Sequence, residues 1–216
     1  MSAWQRMVRA TERFFRDVNS FGDPGEAIIH RFSGAADLGN WVAWSDSTLG
    51  GKSTAGLSVS PHTEGAALFS GVCSSDLPDD VGSRLRRSGF AGISTKITGD
   101  YTDLDGFQRL VYRVNGDGRI YIANLRTDNW LLGQASDDVW QAALPTRSDS
   151  GWEEIEIPLH KFVLTHKGRV LPEANQIHPG RVVSMGIALA DSKELNQSGP
   201  FKLELEWIKG KSASVT

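Results

Sequence analysis

GFQRLVYRVNGDGRIYIANLR, from Gly106 to Arg126, is the stretch on which the fold turns. Phe107, Leu110, Val111, Tyr112 and Val114 precede Asn115-Gly116-Asp117-Gly118, and Ile120, Tyr121, Ile122, Ala123 and Leu125 follow it. Two strand-length apolar runs about a four-residue reversal carry the signature of a β-hairpin. Asparagine and aspartate tolerate the left-handed backbone region and glycine enters it without steric cost, so the tetrapeptide reverses the chain without strain.

Outward from this centre, short apolar stretches recur between turn residues: Ala27 to Phe32, Gly56 to Ser60, Ala66 to Val72, Phe90 to Lys96, Trp152 to Leu159, Val182 to Ala190 and Phe201 to Ile208. That spacing, in a chain with 23 glycines, predicts an all-β sandwich or barrel. Acids and apolar residues alternate in Glu153-Glu154-Ile155-Glu156-Ile157 and in Lys202-Leu203-Glu204-Leu205-Glu206-Trp207, so each strand has one wet face. Val182 to Ala190 is apolar on both sides and predicts a central strand covered on both faces. Pro78 to Arg87, with paired acids and three arginines, reads as a long mobile loop.

Six short segments, taken in order, resemble the complex I intermediate-associated protein 30 family. They are Trp44-Ser45-Asp46 leading to Gly50-Gly51-Lys52-Ser53, Ser88-Gly89-Phe90-Ala91-Gly92, the Gly106 to Arg126 stretch, Gly151 to Leu159, Ser184-Met185-Gly186-Ile187-Ala188, and Gly199 to Leu205. The resemblance covers about Glu26 to Lys209; the loop from Asp76 to Arg87 and the tail after Gly210 depart from the pattern. It implies a jelly-roll β-sandwich of the galactose-binding type. It also implies a non-enzymatic assembly factor, without cofactor, that binds complex I subunits and other assembly factors. The expected location is mitochondrial, on the matrix side and peripheral to the inner membrane. The domain plan is an N-terminal helix (1–20), a linker (21–25), the sandwich (26–210) and a tail (211–216).

Composition sets further bounds. A chain of 216 residues buries one substantial core. A net charge of -3 disfavours a nucleic-acid partner, whose phosphates call for a basic excess. The single cysteine, Cys73, has no internal disulfide partner and reads as an inert small hydrophobe in a reducing compartment. No apolar run approaches the roughly 20 residues of a membrane-spanning helix, which predicts a soluble or peripheral protein. At the N-terminus, Trp4, Met7, Val8, Phe14, Phe15 and Val18 share one side of a helical wheel, opposite Arg6, Arg9, Arg13 and Arg16. Such a basic amphipathic helix suits import targeting, an anionic membrane surface or a partner's groove; the alternative is a helix laid on its own domain.

Among candidates for chemistry, Gly50-Gly51-Lys52-Ser53 lacks the spacing of a phosphate loop, since Asp46 stands where its first glycine belongs. Glu154 and Glu156 share a strand face, as paired glycosidase carboxylates would, but a solvated face explains them better. Trp130, Trp140 and Trp152 with Tyr121 offer a carbohydrate-stacking platform, the main rival to the assembly reading. His30, His62, His160, His166 and His178 show no metal-ligand spacing. A recognition surface is expected among Asp46, Asp117, Arg119, Arg126 and Trp130, in or beside the family-like motifs. Asp46 and Asp117 also suit the capping of their own turns, which is the favoured role for those two. Arg119 and Arg126 stand seven positions apart, an odd number that sends strand side chains to opposite faces.

Overall fold

The computed structural model describes residues 25–76, 88–128, 138–171, 177–192 and 194–212. The proposed N-terminal helix, the loop from Pro78 to Arg87 and Trp130 lie outside these residues. Among the described residues the apolar runs become thirteen strands: β1 (Glu26–Arg31), β2 (Trp41–Ser45), β3 (Thr54–Val59), β4 (Ala67–Cys73), β5 (Phe90–Thr95), β6 (Arg109–Asn115), β7 (Ile120–Thr127), β8 (Asp138–Pro145), β9 (Glu153–Pro158), β10 (Val163–His166), β11 (Arg169–Val170), β12 (Val182–Ala190) and β13 (Gly199–Lys211). One helical turn, α1 (Ala35–Leu38), and three 3-10 turns join them.

These strands form two antiparallel sheets. The six-stranded sheet runs β3-β4-β13-β6-β9, with β1 pairing the second half of β13 on the edge that β4 leaves. The seven-stranded sheet runs β11-β10-β8-β7-β12-β5-β2. Both turn alternate side chains into one core, which holds Phe69, Leu110, Tyr112, Leu203 and Leu205 from the first sheet and Ile93, Tyr121, Leu125, Met185 and Ile187 from the second. This is the all-β jelly-roll sandwich expected from the sequence. As its composition predicts, β12 lies in the middle of its sheet, buried over most of its length on both faces.

The hairpin reading of Asn115 to Gly118 is overturned. β6 pairs with β9 and β13, whereas β7 pairs with β8 and β12, so the tetrapeptide is an arch carrying the chain from one sheet to the other. Both strands present a row of fully buried side chains, Leu110, Tyr112 and Val114 against Tyr121, Ala123 and Leu125. The arch sets these rows face to face across the core, where a hairpin would leave them side by side in one sheet. Asp117 fixes it: its carboxylate accepts from Lys202 N–H at 3.0 Å, the Tyr121 hydroxyl at 3.1 Å and the Arg119 guanidinium at 2.6 Å. A Cβ at Gly116 would lie 2.3 Å from the Thr146 side chain, and Gly118 takes a φ of +86°. Glycine is required at both positions for different reasons, close approach at the first and left-handed backbone at the second.

A bulge in β13 alters a second expectation. Alternation alone sends Trp207 inward with Leu203 and Leu205, but the register shifts between Leu205 and Trp207. Ile208 takes the core position, and Trp207 lies on the outer face with Lys209 Nζ 4.0 Å from its ring centroid.

Candidate functional site

The sandwich's two outer faces differ in kind. On the six-stranded sheet, cations and anions pair across the strands: Arg109 pairs with Glu156 at 2.9 Å, Lys211 with Glu156 at 3.0 Å, and Arg113 with Glu206 at 3.5 Å. The Arg113 guanidinium also sits over Trp152, 5.9 Å from its centroid. Here Glu154 and Glu156 share a side, as strand parity predicts. Hydrogen bonds from Arg109 and Lys211 hold the Glu156 carboxyl below the usual carboxylate range, the opposite of the raised value a glycosidase acid needs. This is a solvated, ion-paired face.

The outer face of the seven-stranded sheet carries a groove of about 550 Å³, lined mainly by apolar and small polar side chains together with Arg126, Lys167 and Asp191. One row of paired residues on this face runs as Val163, Gln141, Asn124, Gly186, Ser94 and Val42, its middle four lining the groove. A second runs as Ala143, Ile122, Ala188, Gly92 and Trp44, of which Ile122, Ala188 and Trp44 line the groove. In the first row the Gln141 amide donates to Asn124 Oδ1 at 2.9 Å and accepts from the Thr165 hydroxyl at 3.0 Å. That bond orients the two amides and leaves the Asn124 NH₂ edge with no hydrogen-bond partner among the described residues.

Trp44 ends the second row. A Cβ built on Gly92 would meet Cζ2, Cη2 and Cε2 of its ring at 2.3, 2.6 and 2.7 Å. Three adjacent ring atoms at nearly equal distances place that point above the ring plane rather than beyond its edge. The indole therefore lies flat on the sheet at Gly92, with its other face turned away from the strand. Phe90 stands beside it, centroids 6.3 Å apart and planes inclined by 55°.

Asp46 holds these two aromatics in place. It follows β2 directly, is fully buried, and accepts from Ser53 N–H at 2.8 Å, the Ser53 hydroxyl at 2.9 Å, Gly89 N–H at 2.6 Å and Phe90 N–H at 3.2 Å. The carboxylate thus ties the end of β2 to the start of β5, which carry Trp44 and Phe90 into the groove. The Gly50-Gly51 pair serves this knot: Gly50 closes the turn at a φ of +96°, and a Cβ at Gly51 would fall 2.3 Å from Asp46 Cγ. Asp191, at the end of β12, accepts from the Ser75 and Ser198 hydroxyls and closes the same rim.

The residues singled out in sequence do not form one patch. Asp46 is inside the protein, Asp117 and Arg119 belong to the arch, and Arg126 lines the groove. Arg119 is spent internally, donating to the Gln197 and Ser198 carbonyls as well as to Asp117. The proposed carbohydrate platform does not form from its described members. Tyr121 is fully buried, Trp140 is in the core with its Nε1 donating to Thr127, and Trp152 is on the ion-paired side. Cys73 is buried, and desolvation pushes its thiol up to about 11, as suits an unreactive side chain. Sequence reasoning missed Trp44 as the groove's aromatic wall; the available signal was Gly92 inside a strand, a mark of close approach by another group.

A family model described as Complex I intermediate-associated protein 30 matches residues 30–205, most of the chain. The chain belongs to the complex I intermediate-associated protein 30 family. The Drosophila melanogaster protein Complex I intermediate-associated protein 30, mitochondrial, is 34% identical over 219 residues, 96% of this chain and 70% of the fly protein. The mouse protein of the same name is 32% identical over 187 residues, 84% of this chain and 55% of its own length. In three dimensions this family member is similar to a family 11 carbohydrate-binding module from Clostridium thermocellum, solved with a β-1,3-1,4-mixed-linked tetrasaccharide. The two share 19% identity over 88% of this chain and 96% of the module, with a TM-score of 0.59, which establishes a common fold. The family motifs now have physical content, since Trp44-Ser45-Asp46 and Ser88 to Gly92 are the two sides of the Asp46 knot.

Proposed function

We infer that this protein is a non-catalytic assembly factor that binds and stabilises intermediates of mitochondrial respiratory complex I, acting on the matrix side and peripherally to the inner membrane. Family membership across most of the chain, with relatives named for complex I intermediates, is the observation that carries this reading. The two-faced sandwich is consistent with it. One face is satisfied by its own ion pairs, and the other offers a largely apolar groove suited to a partner. A binder of this kind lowers the free energy of an unfinished complex by covering surface that later subunits will bury, and leaves when they compete for it. The basic amphipathic stretch with Trp4, Arg6, Arg9, Arg13, Phe14, Phe15 and Arg16 supplies a means of membrane or partner attachment.

Cells lacking the gene, examined on native gels, should lose mature complex I and accumulate membrane-arm intermediates. Reintroduced protein, recovered from detergent-solubilised mitochondria, should bring complex I subunits and other assembly factors with it. Normal complex I in the null line would overturn the proposal.

A further inference from the structure

We propose that the groove on the seven-stranded sheet binds a nucleoside diphosphate, with the base stacked on the open face of Trp44, the sugar beside the Asn124 and Gln141 amides, and the phosphates at Arg126 and Lys167. This ligand site goes beyond the assembly-factor reading and does not depend on it.

The groove grades along the strands from an aromatic end to a cationic end. At the first, the Trp44 indole lies flat over Gly92 with one face open and Phe90 stands inclined beside it, an arrangement that accepts a planar ring. Asn124 and Gln141 come next, and the Asn124 NH₂ edge, without a hydrogen-bond partner among the described residues, is a donor for a sugar oxygen. Arg126 and Lys167 stand together at the far end: Arg126 follows Leu125, which pairs with Trp140, and Lys167 follows His166, which pairs with Asp138. Both also engage other groups of the protein, and five guanidinium donors and three ammonium donors allow an anion to be held as well. Asp191, the one acid lining the groove among the described residues, follows the last residue of β12, whereas Arg126 pairs with Ser184 near the start of that strand. Its carboxylate already accepts from the Ser75 and Ser198 hydroxyls and the Gln197 N–H, so the acid is both distant from the phosphate end and occupied.

Spacing sets the length of the ligand. Gly92, beneath the indole, pairs with Ala188, Ala188 pairs with Ile122, and Arg126 stands four residues on from Ile122. Two inter-strand spacings of about 4.8 Å and four strand residues of about 3.3 Å put roughly 16 Å between the stacking site and the Arg126 Cα. The arginine side chain closes part of that gap, and a ribose carrying two phosphates covers the rest. The groove volume of about 550 Å³ lies within the usual range of small-molecule sites. Two other ligand classes use less of the site. A neutral oligosaccharide brings no anion to Arg126 and Lys167, and an acyl chain covers the Asn124 NH₂ edge without supplying an acceptor.

The test is an NMR titration of the full chain, following the side-chain amides of Asn124 and Gln141, the Trp44 indole N–H and the Arg126 Nε–H. The probes are the diphosphates of adenosine, guanosine and uridine. Their parent nucleosides, inorganic pyrophosphate, a mixed-linked β-glucan tetrasaccharide and a lysophosphatidate below its micelle concentration are the rival probes. At least one diphosphate should shift these signals saturably, with its nucleoside and pyrophosphate each at least about tenfold weaker, because each retains only one end of the ligand. Trp44→Ala should weaken diphosphate binding about tenfold through lost stacking, and Arg126→Gln, which leaves the indole wall intact, about tenfold through a lost phosphate contact. No saturable shift from any diphosphate would overturn the proposal. So would a nucleoside or pyrophosphate binding as tightly as the diphosphate, tighter binding of the tetrasaccharide or the lysophosphatidate, or binding unchanged in either variant. Because no complex I is present in this experiment, its failure leaves the genetic test of the assembly role standing on its own.

Discussion

Replacing Asp46 tests whether a single buried carboxylate frames the groove. In Asp46→Ala three backbone N–H groups, of Ser53, Gly89 and Phe90, and the Ser53 hydroxyl lose their acceptor in a site shielded from water. Each stranded donor costs about 1–3 kcal/mol, and partial relaxation and water entry bring the expected loss to about 3–5 kcal/mol. Asp46→Asn separates the two oxygens. Oδ2 receives Gly89, Phe90 and the Ser53 hydroxyl, while Oδ1 receives only Ser53 N–H. An asparagine keeping its oxygen on the Oδ2 side sets one amide donor against Ser53 N–H and preserves the rest, so it should lose about 2 kcal/mol. Urea unfolding of the full chain, followed by far-UV circular dichroism with m held constant, measures both. The same knot positions Trp44 and Phe90, so Asp46→Ala should also alter the tryptophan emission of the folded protein. An alanine variant within 1 kcal/mol of wild type, or an asparagine variant less stable than the alanine one, would refute the reasoning.

Other expectations follow from buried groups. His30 is held neutral by desolvation, which lowers its pKa to about 4; its Nε2 has no hydrogen-bond partner among the described residues. Between an unfolded value near 6.5 and that folded value only the unfolded chain binds the proton, so stability is full above about pH 6.5 and falls by about 3 kcal/mol as the pH is lowered to about 4. Urea midpoints at pH 7 and 5 should separate in the wild type and converge in His30→Phe; equal slopes in the two proteins would remove His30 as the cause. The Tyr112 hydroxyl is also buried without a partner among the described residues, so Tyr112→Phe should leave the thermal midpoint unchanged or raise it, and a clear fall would reveal a partner. Gly92→Val should lift the Trp44 ring from the sheet, shifting its indole N–H resonance and costing about 1–3 kcal/mol; an unmoved resonance would contradict the flat stacking.

The sheet class was legible because strands buried on one face must alternate, and β9 and β13 do so openly. The partner of each strand was less legible. Asn115-Gly116-Asp117-Gly118 reverses the chain equally well within a sheet or between sheets, and the choice is made by strands far away in sequence that occupy both edges of β6 and β7. β2 escaped notice because Trp41-Val42-Ala43-Trp44 is apolar on both faces, one toward the core and one toward the groove. The groove itself is nearly silent in sequence. Much of its floor consists of Ser94, Ser184, Gly186 and Ala188, small residues that resemble ordinary filler until their neighbours are known. Arg119 falls just before β7, so strand parity does not relate it to Arg126, and no local pattern distinguishes the one bound into the arch from the one lining the groove.

The course of β13 bears on how the molecule is made. It is the last of the described strands, yet it pairs with β1, β4 and β6 and lies at the heart of its sheet. A chain that emerges N-terminus first therefore holds three strands waiting for a seam that arrives only with residues 199–211. Until then their unpaired edges are open to mispairing, and maturation is governed by long-range closure rather than by sequential growth. Loss of residues 204–211 alone would leave the first sheet split in two.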